Sequence, residues 1–234
     1  MARGQKAGKA TAPLPRDRAV SGGSWSHLLA RHLVQPLVGT PITPNHLTTL
    51  RLLSGLAACV CFALGSRQGM VWGGVLWLLS ALLDRADGEL ARIANMMTEL
   101  GHRYDYLTDV LVNSAFFLAI GIGLRNGWFG TWSIAMGVVA GAALFLCMWW
   151  SELLERCSLS NTRAYQGRWG FDPDDALYLM APLAWLGWLE PVLAGAALVA
   201  PIIAAVTAIR LLRLPPKANQ GAGLAPHRGQ HSTS

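Results

Sequence analysis

Long apolar windows separated by short polar breaks dominate the chain between residues 46 and 212. Windows of about 20 residues match the roughly 30 Å hydrocarbon layer of a bilayer. They predict helices near 46 to 66, 70 to 96, 100 to 124, 128 to 154, 173 to 189 and 191 to 212. The expected fold is therefore all-α, a polytopic integral membrane protein with six transmembrane helices. A shorter pattern precedes them. In SWSHLLARHLVQPLV, Trp25, Leu28, Leu29, Leu33 and Leu37 can share one helical face while Arg31 and His32 occupy others. That spacing predicts an amphipathic helix lying on the membrane surface.

Two polar breaks read as helix openings. TPITPNHLTTLRLLSG starts the first span with Thr43 as cap and Pro44 in the first turn. In FDPDDALYL, Asp172 can cap the fifth span, Pro173 suits its first turn, and Asp174 and Asp175 complement the helix dipole. The ends of the chain differ from its middle. Residues 1 to 22 are basic and rich in Gly, Ala and Pro without an apolar run, and residues 214 to 234 are similar. Both are expected to be disordered tails flanking a membrane domain at 23 to 213. The first tail also lacks the apolar core of a cleavable signal peptide.

Composition agrees with the pattern: 53% of the 234 residues are hydrophobic and 14% charged, where a soluble domain carries about a quarter charged residues. Charge adds an orientation. Of the 19 Lys and Arg, only Arg67 and Arg125 fall in the loops after the first and third spans. The excess of basic residues on the other side places both termini, and the loops after the second and fourth spans, in the cytoplasm of an inner membrane protein. The formal charge of +6 lies largely in the tails and inner loops, where anionic lipid is a sufficient partner and nucleic acid is not needed. Cys59, Cys61, Cys147 and Cys157 have no CxxC spacing and read as small apolar residues.

One stretch resists the membrane reading. DRADGELARIANMMTELGHRYDYLTD, residues 84 to 109, carries four aspartates between two apolar runs, and charge in such a place is a functional hypothesis by default. Asp84, Asp87, Gly88, Ala91 and Arg92 are spaced i, i+3, i+4, i+7, i+8 and fall on one helical face. On the next helix Gly101, Asp105 and Asp109 recur every four residues. An antiparallel pair joined by a turn near 95 to 99 brings the stripes together. Four converging carboxylates repel unless cations neutralise them, and oxygen-only ligands suit Mg²⁺ or Mn²⁺. Mg²⁺ keeps positions open for phosphate. Gly88, Ala91 and Gly101 leave room at the backbone, and Arg92 offers a planar fork to phosphate.

Read in order, these residues give D-x2-D-G-x2-A-R-x8-G-x3-D-x3-D from Asp84 to Asp109. The pattern resembles the signature of the CDP-alcohol phosphotransferase family (class I CDP-alcohol phosphatidyltransferases), and with the expected spans the likeness covers roughly residues 25 to 212. It implies transfer of a phosphatidyl group from a CDP-linked lipid, usually CDP-diacylglycerol, to an alcohol, with release of CMP. It implies two divalent cations, Mg²⁺ or Mn²⁺, on Asp84, Asp87, Asp105 and Asp109, with Asp109 also the base that accepts the hydroxyl proton. It assigns Gly88, Arg92 and the hydroxyl of Thr98 to the CDP moiety, where Ala91 leaves space, and gives Gly101 a close helix approach. The PNHLT segment resembles a second family feature, which puts Asn45 and Thr48 beside the nucleotide.

The acceptor is less legible. Arg156, Arg163 and Arg168 follow the fourth span and could hold the phosphate of a phosphorylated polyol such as glycerol 3-phosphate or inositol phosphate, although inner loops are rich in Arg in any case. Ser151, Glu152 and Glu155 could instead recognise a polyol or an amino alcohol such as serine or choline. A cation-coupled transporter is the alternative from another class, but no second half of the chain repeats the aspartate pattern. Small residues at Gly121, Gly123, Gly137 and Gly141 permit a homodimer.

Overall fold

The computed structural model describes residues 25–157 and 176–213. Among the described residues the protein is entirely helical, as expected: α1 (Trp25–Val34), a 3₁₀ turn (Gln35–Leu37), α2 (Pro44–Ala63), α3 (Arg67–Ile93), α4 (Glu99–Gly123), α5 (Trp132–Cys157), α6 (Ala176–Trp185) and α7 (Leu189–Leu212). Four of them, α2, α4, α5 and α7, are long and apolar enough to cross a membrane. The second half of α3 carries Asp84, Arg85, Asp87, Glu89 and Arg92, which lower its hydropathy, and α6 spans ten residues with Pro182 inside. The tails, and the opening of the fifth span around Asp172 to Asp175, lie outside the described residues.

Helix starts follow local chemistry. Thr43 stands in extended conformation before Pro44, and its backbone N–H donates to His46 Nδ1 at 3.2 Å. Thr98 caps α4, its hydroxyl accepting from the Gly101 N–H at 3.0 Å. Between α3 and α4 the chain turns through Asn95 at φ +55°, a left-handed conformation that Asn tolerates. α5 begins at Trp132, later than the apolar pattern predicts, because the chain first turns at Gly127 and at Gly130, whose φ is +55°.

α2 packs between α3 and α4, α4 and α7 flank α5, and α6 lies on α3. The core joins Phe62 of α2, Trp77 of α3, Phe116 and Ile120 of α4, Ala184 of α6 and Leu193 of α7. Phe62 meets Phe116 edge-on at 5.5 Å. Glycine permits the closest approaches. A Cβ on Gly121 would stand 2.6 Å from the Ser133 carbonyl, and one on Gly141 2.7 Å from that of Ser114. Gly123 faces the Phe62 carbonyl and Gly137 that of Phe117. These four glycines therefore pack helices within the chain.

The surface helix differs in one respect. Leu28, Leu29 and Leu33 do form an exposed apolar face, and Ala30 and Val34 on the other side are buried. Val34 joins Leu47, Ala86 and Leu90 in a second small core. Leu37 leaves the leucine face and packs on that core instead, because the helix gives way to a 3₁₀ turn at Gln35 and Pro36. The side chain of Trp25 lies outside the described residues.

Candidate active site

The chain reverses through the turn at Ala94 to Thr98, and α2 packs against both α3 and α4 and lies between them, with residues of both stripes lining one space. Thr48 of α2 reaches across and donates to Asp87 Oδ2 at 2.6 Å, both residues being buried. Deeper along the bundle, single oxygens of Asp84, Asp105 and Asp109 lie within 4.8 Å of one another. Three of the four aspartates thus converge closely, and the fourth is held beside them by a hydroxyl.

A cavity of about 190 Å³ opens next to the cluster. Asp87 and Asp105 line it, together with Gly88, Ala91, Arg92, Thr98, Gly101, Asn45 and Thr48, so every residue expected near the CDP moiety reaches one space. Gly88 opens onto it: a Cβ there would meet no atom within 4 Å. Gly101 behaves differently. A Cβ there would lie 3.0 Å from Thr98 Oγ1 and 3.2 Å from Asn45 Oδ1, so this glycine lets α4 approach the start of α2. Arg92 reaches the cavity while pairing with Glu89 at 2.6 Å. Accepting from Gly101 N–H leaves the Thr98 hydroxyl its own proton to donate.

Some participants are absent from the sequence pattern. Pro44, Met96, Met97 and His102 also line the cavity, and Asn113 donates to Asp109 Oδ1 at 3.3 Å. Arg51 of α2 is the largest omission. It is 3% exposed, its Nη1 lies 2.6 Å from Asp84 Oδ1 and 2.8 Å from Asp105 Oδ1, and its Nη2 pairs with Asp109. A signal for it existed: an arginine inside the first span, on one face with Thr48 and Gly55, is a costly charge that asks for partners. Arg163 and Arg168 lie outside the described residues, as do the side chains of Arg156 and Glu155. Ser151 and Glu152 sit partly buried near the end of α5.

Oxygen-only donors fit a hard divalent cation. One guanidinium cannot neutralise four carboxylates, and the adjoining cavity provides space for a phosphate-bearing ligand.

A sequence profile described as CDP-alcohol phosphatidyltransferase matches residues 41–210. The chain belongs to that family. Similar proteins include the "Bifunctional IPC transferase and DIPP synthase" of Aquifex aeolicus, 32% identical over 122 residues, which are 50% of this chain and 28% of that protein. The "Archaetidylinositol phosphate synthase" of Pyrococcus horikoshii is 31% identical over 101 residues, 43% of this chain and 52% of that one. The chain thus spans about a quarter to a half of the length of these relatives. Among solved structures, the phosphatidylinositol phosphate synthase of Mycobacterium tuberculosis with CDP-DAG bound has a TM-score of 0.57 at 17% identity, covering 80% of this chain and 92% of that one. Its complex with manganese and citrate has a TM-score of 0.58 at 16% identity, covering 80% and 87%. At these identities the likeness is one of fold.

Proposed function

We propose that this chain transfers a phosphatidyl group from a CDP-linked lipid, CDP-diacylglycerol or a similar CDP-alcohol, to the hydroxyl of a small polar acceptor. The observation that carries the reading is the cavity joining Gly88, Arg92 and Thr98 to Asp87 and Asp105, beside the Asp84, Asp105 and Asp109 cluster. A phosphorylated polyol such as inositol phosphate or glycerol 3-phosphate is the acceptor best supported, since the Pyrococcus horikoshii and Mycobacterium tuberculosis proteins named above are inositol phosphate synthases by name. The cation-coupled transporter has no observation in its favour.

In the reaction the acceptor oxygen forms a bond to the lipid-side phosphorus, and the bond from that phosphorus to the bridging oxygen breaks. The electron pair leaves on CMP. Asp109 takes the hydroxyl proton. Arg51 and Asn113 both reach its Oδ1, so Oδ2 is the oxygen available to hold the proton. Gly88 lets the nucleotide lie against the α3 backbone, Thr98 donates to it, and Arg92 offers its fork to phosphate, with Asn45 and Thr48 alongside. Asp84, Asp87, Asp105 and Asp109 would hold two divalent cations, Mg²⁺ or Mn²⁺, whose chemistry is to stabilise charge on the departing diphosphate. We place the cluster and both termini on the cytoplasmic side of the inner membrane, from the distribution of Lys and Arg.

The test is CMP release from CDP-diacylglycerol by the full-length chain in detergent, with Mg²⁺ or Mn²⁺, over a panel of acceptors. Inositol phosphate or glycerol 3-phosphate should support release, chelation should stop it, and Asp109→Asn should lower it by about 10²–10⁴-fold. Release without divalent ions, or at full rate in Asp109→Asn, overturns the mechanism. Release with serine or choline alone overturns the acceptor.

A further inference from the structure

Arg51 touches the same three carboxylates that the fold offers to a cation. Its guanidinium bonds Asp84 and Asp105 through Nη1 and Asp109 through Nη2, and Asp84, Asp105 and Asp109 are the residues whose oxygens converge within 4.8 Å. Asp87 is outside this arrangement and is held by Thr48.

The arginine is anchored at its base. Its carbonyl accepts from Ser54 Oγ at 3.0 Å and from Ser80 Oγ of α3 at 3.1 Å. Gly55 brings α2 close to both neighbours, since a Cβ there would lie 2.9 Å from Ser80 Oγ and 2.6 Å from Val112 Cγ1. The backbone is thus fixed against α3 and α4, while the long side chain remains the adjustable part.

Two consequences follow from electrostatics. Without a cation, three crowded and partly buried carboxylates repel, and the guanidinium offsets that repulsion with directed, charge-assisted hydrogen bonds. With a divalent cation on the same oxygens, a positive guanidinium within a few ångströms is repelled by it and competes for the same lone pairs. Both occupants cannot keep full contact with all three carboxylates.

We propose that Arg51 is a resident counter-ion that competes with the divalent cation for Asp84, Asp105 and Asp109. It holds the cluster together in the ion-free protein, weakens ion affinity, and releases carboxylate oxygens as the ion binds. The proposal rests on the reading that these aspartates take a divalent cation.

The experiment measures Mn²⁺ binding to the full-length chain in detergent, by the disappearance of the free-ion paramagnetic resonance signal, without nucleotide or lipid. Thermal unfolding with and without Mn²⁺ accompanies each titration. Arg51→Met keeps the apolar stem and removes the charge; its Kd for Mn²⁺ should fall about tenfold or more, and Mn²⁺ should raise its Tm by more than it raises that of the wild type. Arg51→Lys keeps the charge and loses the fork, so its affinity should lie between the two. It is also the variant that decides if Arg51→Met does not fold without ions. Arg125→Met, which removes a cation at the opposite end of the bundle, should leave the Kd unchanged.

Mn²⁺ affinity in the folded Arg51 variants equal to or below that of the wild type overturns the proposal and leaves the cation site intact. No Mn²⁺ binding by any of the proteins overturns the cation site and this inference with it. Binding by the Arg51 variants but not by the wild type supports competition in its strongest form.

Discussion

The two ends of the helical bundle solve the problem of buried polarity in opposite ways. At the end where α2 meets the turn after α4, Arg125 donates to the carbonyls of Ala63 and Ile122, and Glu190 accepts from the Trp128 N–H. Both of these charges are satisfied by backbone, and Gly65, Gly69, Gly121 and Gly123 are pressed against neighbouring carbonyls. Trp72, Trp128, Trp132, Trp185 and Trp188 are exposed around this end, the placement of an interfacial aromatic belt. At the aspartate end, carboxylates outnumber the guanidinium they share, and Gly88 borders empty space. A glycine pressed on backbone is structural, whereas a glycine facing a void beside charged groups points to a ligand.

Substitutions at the two kinds of glycine break the comparison apart. Gly121→Ala forces a methyl toward the Ser133 carbonyl and the Gly137 Cα at 3.0 Å, neither of which can rotate away. It should cost about 1–3 kcal/mol and lower Tm by about 2–10 °C in a thermal unfolding scan, with CMP release per folded molecule unchanged. Gly88→Ala should do the reverse. Alanine is the better helix former and meets no atom there, so Tm should hold or rise while the KM for the CDP-linked lipid rises about tenfold. Loss of Tm in Gly88→Ala with unchanged KM would make that glycine structural after all. The smallest effect falls where the two roles overlap. Thr98→Ala removes the α4 cap and should cost about 1 kcal/mol, read as a fall in Tm that Thr98→Ser reverses.

How far the sequence carried depended on whether a feature was local. The aspartate stripes were legible because helical spacing alone places Asp84 with Asp87 and Asp105 with Asp109; the expected antiparallel pairing of their two helices was not met, because α2 packs against both and stands between them. Thr98 was legible as a residue beside the site but not as a helix cap. Leu37 was misplaced because Pro36 shifts the register, an effect that helical periodicity ignores. The four glycines of α4 and α5 were readable as small, but whether they face another helix of the same chain or a second chain depends on tertiary packing. Arg51 was missed for the same reason: its partners are 33 to 58 positions away, and no local pattern connects TTLRLL to the aspartates.

Arg51 also bears on how the chain enters a bilayer. An arginine or an aspartate in an apolar helix resists insertion by up to about 2.5–3.5 kcal/mol at the helix centre. α2 brings the arginine, and α3 and α4 bring the carboxylates that pair with it. Each of these segments is therefore a poorer membrane helix alone than in the company of the other two. They are consecutive and joined by short links, so the translocation machinery can receive them as a single unit, with the opposite charges already matched before lipid closes around them.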